Sequence, residues 1–182
     1  MMKYLRPAVV MIALYTILTG FILPLGFTGF AALVFPRQAG GSLVSVNGQI
    51  VGSSLIAQGF TLPKYFWPRP SAASYAGDNS SGSNLAPTSA ALIKRVTGDV
   101  AKYGGKNVPA DAVTTSGSGL DPDISPEFAA LQAPRVAKAR DLPVDQVEQI
   151  VASHTEGRWL GIFGEPRVNV LEVNIALDQA KG

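Results

Sequence analysis

The hydrophobic pattern of the chain is dominated by one stretch near the amino terminus. No Lys, Arg, Asp, Glu or His occurs between Arg6 and Arg37. Because a helix rises about 1.5 Å per residue, crossing ~30 Å of hydrocarbon takes roughly 20 apolar residues. The pattern therefore predicts a retained transmembrane helix over 8–34, with a cleaved signal peptide and a buried core helix as the alternatives. Pro24 lies inside the run and is predicted to kink the helix or end it early.

After this helix, turn signals organise the next part of the chain. Asn47-Gly48 lies between two apolar-rich runs and predicts a β-hairpin, because both central residues of a type I′ turn need positive φ. Residues 53–60 are predicted to form a third strand or one helical turn. Prolines within 62–71 predict a stiff, extended segment, and the composition of 72–87 predicts a long polar loop.

Amphipathic spacing predicts three helices in the second half of the chain. The first covers 89–103, with Thr88 as its cap. The second begins after Ser125 as the cap, has Pro at the first helical position and an acid in the first turn, and runs to about Arg140. The third covers about 144–154.

The final element, 168–178, fits two interpretations. Its apolar side chains alternate, which favours a β-strand. Asn169 and Glu172 have instead the spacing of a helix cap. The strand is the preferred prediction. The fold class predicted is α+β: one N-terminal transmembrane helix and a single α+β domain with an early hairpin and about three helices.

The distribution of charge predicts the orientation in the membrane. Lys3 and Arg6 precede the helix, whereas Arg37 stands alone after it. The positive-inside rule then places 1–7 in the cytoplasm and 37–182 outside it. All 13 acidic residues and all but two of the 15 basic residues follow position 36, so this domain is nearly neutral and has no nucleic-acid footprint.

Candidate chemistry in this domain is sparse. The SGSG run at 116–119 suggests a phosphate cradle, but it lacks the Lys of a P-loop and contains only part of the GxSxG nucleophile elbow. A turn is therefore the favoured interpretation. His154 is the only histidine and Cys is absent, so neither a catalytic residue nor a metal site is predicted.

The three consecutive aromatics at 65–67 allow two interpretations. The aromatic rings close one end of the core, or Trp67 and Arg69 face a partner, since Trp and Arg are typical interface anchors. The candidate partner-interface residues are Tyr65, Phe66, Trp67, Arg69, Ser83, Asn84, Asp121, Arg135 and Arg140.

Short motifs then follow one another in order along nearly the whole chain. They are Leu5-Arg6-Pro7, Phe35-Pro36, Gly41-Ser42-Leu43, Tyr65-Phe66, Arg69-Pro70-Ser71-Ala72, Gly82-Ser83-Asn84-Leu85, Ser116-Gly117-Ser118-Gly119-Leu120-Asp121, Gln132, Arg135-Val136-Ala137-Lys138-Ala139-Arg140 and Val168-Asn169-Val170-Leu171. No single motif is diagnostic, but the ordered set resembles the C subunit of the Kdp-type potassium-transporting P-type ATPase.

The resemblance implies an accessory, non-hydrolysing subunit of a high-affinity potassium uptake complex in the bacterial inner membrane. Its implied partners are a potassium-selective channel-like subunit, a P-type ATPase subunit, a small single-span subunit and membrane lipid. It implies a role in assembly, a catalytic-chaperone role that raises the ATP affinity of the pump subunit, and an outer domain near the potassium entrance. It also implies that potassium is the transported ion and is not bound by this subunit.

The chaperone role implies an ATP contact, although no cofactor is expected to be bound firmly. The candidate nucleotide-binding residues are Ser116, Gly117, Ser118, Gly119 and Gln132. This expectation conflicts with the predicted topology, because cytoplasmic ATP cannot reach a domain outside the cytoplasm. The alternative function is a membrane-anchored periplasmic enzyme or solute-binding domain acting alone, which predicts an active or ligand-binding fragment 37–182.

Overall fold

The computed structural model describes residues 2–180 and divides the chain into two compact units, Met1–Leu43 and Val44–Gly182. The ends of the predicted segments 1–7 and 37–182, residue 1 and residues 181–182, lie outside the described residues. The first unit is helical. Its elements are α1 (Met2–Ile17), a π-helical turn (Leu18–Ile22), α2 (Leu23–Val34) and α3 (Pro36–Ala39).

The first three of these elements form one helix that is long and apolar enough to cross a membrane. It covers Lys3–Val34, which is 32 residues, and an 18-residue window within it has a mean hydropathy of 2.3. Pro24 does not end this helix, which corrects the prediction of an early end. The chain accommodates the proline by a wider turn just before it, where the Leu23 N–H bonds to the Leu18 carbonyl.

The second unit confirms the α+β fold class, with two small antiparallel sheets and five helices among the residues described. Its elements are β1 (Leu43–Val46), β2 (Gln49–Ser53), α4 (Ala90–Lys102), α5 (Ala110–Val113), β3 (Asp123–Ile124), α6 (Pro126–Arg140), α7 (Val144–Ser153), β4 (Thr155–Glu156), β5 (Arg167–Asn169) and α8 (Val170–Gln179). Strands β1 and β2 form one sheet, and the other has the order β3-β5-β4. In that sheet Val168 lies opposite both Ile124 and Thr155.

The predicted hairpin is confirmed, but the segment after it is neither a strand nor a helix. Asn47 and Gly48 have φ values of 52° and 78°, as a type I′ turn requires. Strand β2 ends at Ser53, and the chain then turns because the Ser53 side chain accepts a hydrogen bond from Leu55 N at 3.1 Å. The Ile56 N–H reaches the Ser53 carbonyl at 3.4 Å in the same turn.

The three predicted helices are confirmed as α4, α6 and α7, with one wrong cap. The N-cap position of α4 is Ser89 and not Thr88, because a turn closed by the Ser89 N–H on the Ala86 carbonyl delays the first helical residue; the Ser89 side chain makes no capping hydrogen bond. Helix α6 begins as predicted. The Ser125 hydroxyl accepts a hydrogen bond from Phe128 N at 3.0 Å.

The preferred prediction for 168–178 is wrong, because this segment is strand for only its first two residues. Asn169 caps α8, and its side-chain oxygen accepts a hydrogen bond from Glu172 N at 3.2 Å. Val170, Val173 and Leu177 are buried at helical spacing. The apolar positions that alternate also satisfy a helical period, so the cap was the informative signal.

The core of the second unit lies against α6. This helix buries one aromatic residue, Phe128, and a row of small residues at Ala129, Ala133 and Ala137. The small side chains let neighbouring segments approach the helix closely. Phe66, which comes from the segment 62–70, is fully buried in the same cluster. The prediction of an extended backbone over 62–71 is wrong for its first residues, because the Tyr65 N–H closes a turn on the Leu62 carbonyl at 3.1 Å.

Candidate functional site

Two buried amide side chains fix the backbone of the aromatic segment 62–70. Gln132 on α6 accepts from Trp67 N at 2.8 Å and donates to the Trp67 carbonyl at 3.0 Å. Asn174 on α8 does the same for Phe66, at 2.8 and 3.0 Å. We call Gln132 and Asn174 the amide clamp. It supplies the hydrogen bonds that a neighbouring strand would otherwise give to this buried extended backbone.

The clamp fixes which aromatic side chains point inward. Phe66 is fully buried, which confirms for this residue the interpretation that the aromatics close the core. Tyr65 and Trp67 on either side of it are half-buried. Phe66 is therefore not accessible at the surface in this conformation, whereas the rings of Tyr65 and Trp67 are partly accessible.

Arg135 connects α6 to the clamped segment. Its guanidinium donates to the carbonyls of Pro63 and Tyr65 at 2.6 and 3.1 Å. It also donates to Gln132 Oε1 at 2.6 Å and stacks on the Trp67 ring with 3.7 Å between the guanidinium carbon and the ring centroid. The flat guanidinium thus holds the ring in one orientation.

Arg140 has a similar role at the other end of the segment and is itself buried. It donates to the carbonyls of Lys64 and Leu177 at 2.7 and 2.9 Å, and pairs with Asp178 at 2.8 Å. The Tyr65 hydroxyl donates to the same carboxylate at 3.0 Å. Arg140 therefore positions the segment from inside the domain.

Trp67 lines two grooves at the surface of the domain. One, of ≈370 Å³, is also lined by Phe60, Tyr75 and Tyr103, and the other, of ≈330 Å³, by Leu131 and Arg135. The Lys102 ammonium lies 4.8 Å from the centre of the Trp67 ring, beside both grooves. An aromatic floor with two cations is a surface that suits an acidic or carbonyl-rich partner.

Burial shifts the pKa of three side chains around these grooves, those of Tyr75, Tyr103 and Arg135. Burial raises the pKa of the Tyr103 phenol, an effect that Arg135 opposes and Asp99 reinforces. Burial also raises the pKa of Tyr75, with a smaller contribution from Tyr103. Burial lowers the pKa of Arg135, which Tyr103 partly offsets. The phenols are therefore neutral hydrogen-bond donors, and Arg135 is a cation.

Arg69 and Asp121, two predicted interface residues, are paired with each other. Their side chains form an ion pair of 2.9 Å, with the Thr114 hydroxyl 3.4 Å from Arg69. The Tyr75 hydroxyl donates to the Arg69 carbonyl at 2.8 Å. The pair joins the end of the aromatic segment to the chain that follows the SGSG run.

The SGSG run holds the long loop 72–87 against the domain, and its turn interpretation is consistent with its internal hydrogen bonds. Gly119 N donates to the Ser116 hydroxyl at 2.9 Å, and Leu120 N donates to the Ser118 hydroxyl at 3.0 Å. The carbonyl of Ser118 accepts from Ser81 N at 2.8 Å. The hydrogen bond between Ser81 and Ser118 thus holds the loop against the SGSG run.

Gly119 is the residue of this run that no other amino acid can replace without strain. Its φ is +68°, and an added Cβ would lie 2.6 Å from the Ser81 carbonyl oxygen and 2.9 Å from the Ala73 Cβ. Its own carbonyl accepts the Ser71 hydroxyl at 2.6 Å. Ser83, half-buried, and Asn84, exposed with a φ of 52°, follow on the same loop.

The five candidate nucleotide-binding residues have different surroundings. The hydroxyls of Ser116 and Ser118 accept hydrogen bonds from Gly119 N and Leu120 N, and the Ser118 carbonyl contacts the loop, whereas the amide of Gln132 is engaged with Trp67 and Arg135. A direct ATP contact through these residues stays a prediction. Sequence reasoning missed Asn174, Asp178 and Lys102. Asn174 carried a usable signal, because it is the one polar residue within 173–177.

His154 lies at the C-terminal end of α7, as expected for a residue at a helix end. The neighbouring Ser153 hydroxyl donates to the Ile150 carbonyl at 2.8 Å and lies 3.1 Å from His154 Nδ1. Nδ1 is 2.9 Å from the same carbonyl. These contacts are those of a helix terminus. Within residues 2–180, no group of three or more His, Asp or Glu side chains is close enough to hold a metal ion.

Comparison with known proteins gives one consistent result. The family model KdpC, described as K+-transporting ATPase, c chain, matches residues 5–179. The chain is 51% identical over 199 aligned positions to the potassium-transporting ATPase KdpC subunit of Rhodopseudomonas palustris, with 100% of both chains covered. It is 53% identical over 186 positions to that of Beijerinckia indica, covering 98% of this chain and 94% of the relative. The chain therefore belongs to the KdpC family, the c chains of the K+-transporting ATPase.

Proposed function

We propose that this protein is an accessory, non-hydrolysing subunit that assembles an ATP-driven potassium uptake complex and promotes ATP use by its pump subunit. The observation that carries the proposal is the full-length match to KdpC subunits, which makes the chain a subunit of a potassium pump. The partners in the proposal are a potassium-selective channel-like subunit, a P-type ATPase subunit and a small single-span subunit.

The proposal places the α+β domain outside the cytoplasm, near the potassium entrance. Two basic side chains before the charge-free stretch 7–36 and one directly after it support this orientation. The helix Lys3–Val34 supports a single crossing of the inner membrane. An outer domain cannot contact cytoplasmic ATP, so the effect on ATP use acts through the membrane-embedded partners.

The interface in this proposal is centred on Trp67 and Lys102. The ring is stacked on Arg135, and its backbone is held by Gln132, so it is already fixed before any partner binds. A side chain fixed in advance loses little conformational entropy on binding. Tyr65, Phe66 and Arg140 contribute indirectly, by holding the segment that carries Trp67.

Co-purification tests the assembly role. The full chain, tagged at its carboxy terminus, is solubilised with its membrane in mild detergent and recovered through the tag. We expect the P-type ATPase and channel-like subunits to be recovered with it, and an equally tagged unrelated single-span protein to recover neither. Recovery of the chain alone, together with normal growth of a deletion strain at micromolar potassium, would contradict the proposal.

A fusion reporter tests the orientation separately. A reporter that is active only in the cytoplasm, joined after Gly182, is expected to be silent. The same reporter placed before the membrane helix is expected to be active and serves as the control. Activity at the carboxy terminus would place the domain in the cytoplasm and would remove the argument against direct ATP contact.

A further inference from the structure

The segment between β4 and β5 forms a closed hairpin whose tip is apolar. Trp159 and Phe163 face each other across it, with Trp159 N donating to the Phe163 carbonyl at 2.8 Å and Phe163 N donating to the Trp159 carbonyl at 3.0 Å. Leu160 and Gly161 make the turn with φ values of 52° and 73°. We call residues 159–163 the apolar tip.

The side chains of the apolar tip are directed away from the core. The exposed fractions are 69% for Trp159, 70% for Leu160, 72% for Ile162 and 58% for Phe163. The two aromatic rings contact each other, with 5.7 Å between their centroids. Four large apolar side chains exposed within five residues form a contiguous patch, which in soluble proteins marks an interaction site.

The charges at the base of the apolar tip are paired with one another. Arg158 pairs with Glu165 at 2.6 Å, and Arg167 pairs with Glu156 at 2.7 Å. Arg167 also lies 3.3 Å from Asp123. The base therefore has no strong electric field of either sign. The remaining driving force for binding is the transfer of the apolar side chains of the tip out of water.

The size of the apolar tip distinguishes lipid from a protein partner. A stable protein interface buries about 800 Å² per partner from roughly 20–30 residues, far more than five residues supply. Insertion at the boundary between headgroups and acyl chains needs only a few apolar side chains, and Trp is enriched there. The backbone N–H and carbonyl groups of Trp159 and Phe163 bond to each other across the hairpin. They therefore need no hydrogen bonds from water, which is scarce at the acyl boundary.

We propose that the apolar tip inserts into the headgroup–acyl boundary of the bilayer that the Lys3–Val34 helix crosses. The domain would then have a second, reversible membrane contact beside its covalent anchor. Because the charges at its base are paired, the contact takes zwitterionic lipid as readily as anionic lipid. Insertion requires only the membrane helix of the same chain, so it is independent of the partner subunits.

Depth-dependent quenching tests this insertion on the full chain. The sequence has no Cys, so Leu160→Cys provides a single attachment site for a bimane fluorophore. The labelled chain is reconstituted in phosphatidylcholine nanodiscs with and without doxyl-labelled lipid. Thr97→Cys, at an exposed position of α4, is the matched control, and Ile162→Cys repeats the test if the first variant folds poorly.

We expect doxyl lipid to quench bimane at 160 and 162 severalfold more strongly than at 97, and phosphatidylserine to leave this ratio unchanged. Equal quenching at the three positions would overturn the proposal. The same labels are then measured in the assembled complex. A label at 160 that is shielded from both doxyl lipid and aqueous iodide would show that a protein subunit covers the apolar tip, which also overturns it.

Discussion

Gln132 and Trp67 exchange two hydrogen bonds, from Trp67 N to Gln132 Oε1 at 2.8 Å and from Gln132 Nε2 to the Trp67 carbonyl at 3.0 Å. One buried side chain thus satisfies both backbone groups of a residue 65 positions away in the chain. Arg135 donates to the same Gln132 oxygen and stacks on the Trp67 ring. The position of Trp67 at the surface is therefore determined from within the domain.

Replacing Gln132 tests the amide clamp. Gln132→Leu keeps the side-chain volume but leaves the Trp67 N–H and carbonyl without partners, and each unsatisfied buried group costs about 1–3 kcal/mol. We expect the unfolding free energy to fall by roughly 2–4 kcal/mol, measured by denaturant unfolding of the full chain in detergent. Gln146→Leu, at an exposed position of α7, is expected to change it by less than about 0.5 kcal/mol. Equal effects of the two substitutions would contradict the clamp.

Substituting the two glycines of the SGSG run by Ala tests whether this run holds the loop 72–87. Gly119→Ala places a Cβ against the Ser81 carbonyl at a φ of +68°, and we expect a loss of about 1–3 kcal/mol. Hydrogen exchange of 72–87 should rise in this variant, because the loop must move away. Gly117→Ala meets no atom within 4 Å and should leave both measurements near those of the wild type. Unchanged exchange in Gly119→Ala would show that the run does not hold the loop.

The stability of the domain should depend on the ionisation of Asp123. Burial raises the pKa of this carboxyl, and Arg167 opposes the effect. The folded state therefore binds this proton more tightly than the unfolded state does. The stability that the protonated Asp123 carboxyl contributes is present below its ordinary pKa of 3.8. It is lost as the pH rises through the raised folded-state pKa.

Asp123→Asn removes this dependence while retaining an oxygen that can accept from Asn169. We expect the unfolding free energy of the wild type, minus that of the variant, to fall as the pH rises from about 3.8 through the raised folded-state pKa of Asp123. At higher pH this difference should stay constant. Denaturant unfolding at a series of pH values measures the difference. A difference that is constant throughout, or that rises with pH, would contradict the predicted direction.

Lys102 tests the interface that we place around Trp67. Lys102→Glu reverses a charge 4.8 Å from the Trp67 ring at an exposed position, so we expect it to change the domain stability by about 1 kcal/mol or less. Recovery of the pump subunits in co-purification should nevertheless fall severalfold. Lys94→Glu, exposed on the same helix, should not reduce it. Equal recovery with both variants would place the interface elsewhere on the domain.

Local signals in the sequence were sufficient for the elements that depend on local contacts. Asn47-Gly48 and Ser125-Pro126 predicted a turn and a helix start because their backbone conformations and caps involve only nearby residues. The segment 168–178 was assigned wrongly because its apolar positions fit both a strand and a helix. Only the Asn169 cap distinguished the two.

The candidate site could be predicted only in part, because its contacts join distant positions. Trp67, Arg135 and Gln132 were singled out, but their mutual contacts were not visible. Asn174 binds the backbone of a residue 108 positions away, and such a pairing leaves no local pattern in one sequence. The apolar tip gives no such local signal in the sequence, since exposure of its side chains depends on how the hairpin packs.

The most direct test of the central claim is ATP hydrolysis by the reconstituted potassium pump as a function of ATP concentration, with and without this chain. We expect the chain alone to hydrolyse no ATP, and the complete complex to reach half of its potassium-stimulated rate at a lower ATP concentration than the complex without it. Hydrolysis by the isolated chain, or identical curves for the two complexes, would contradict the account.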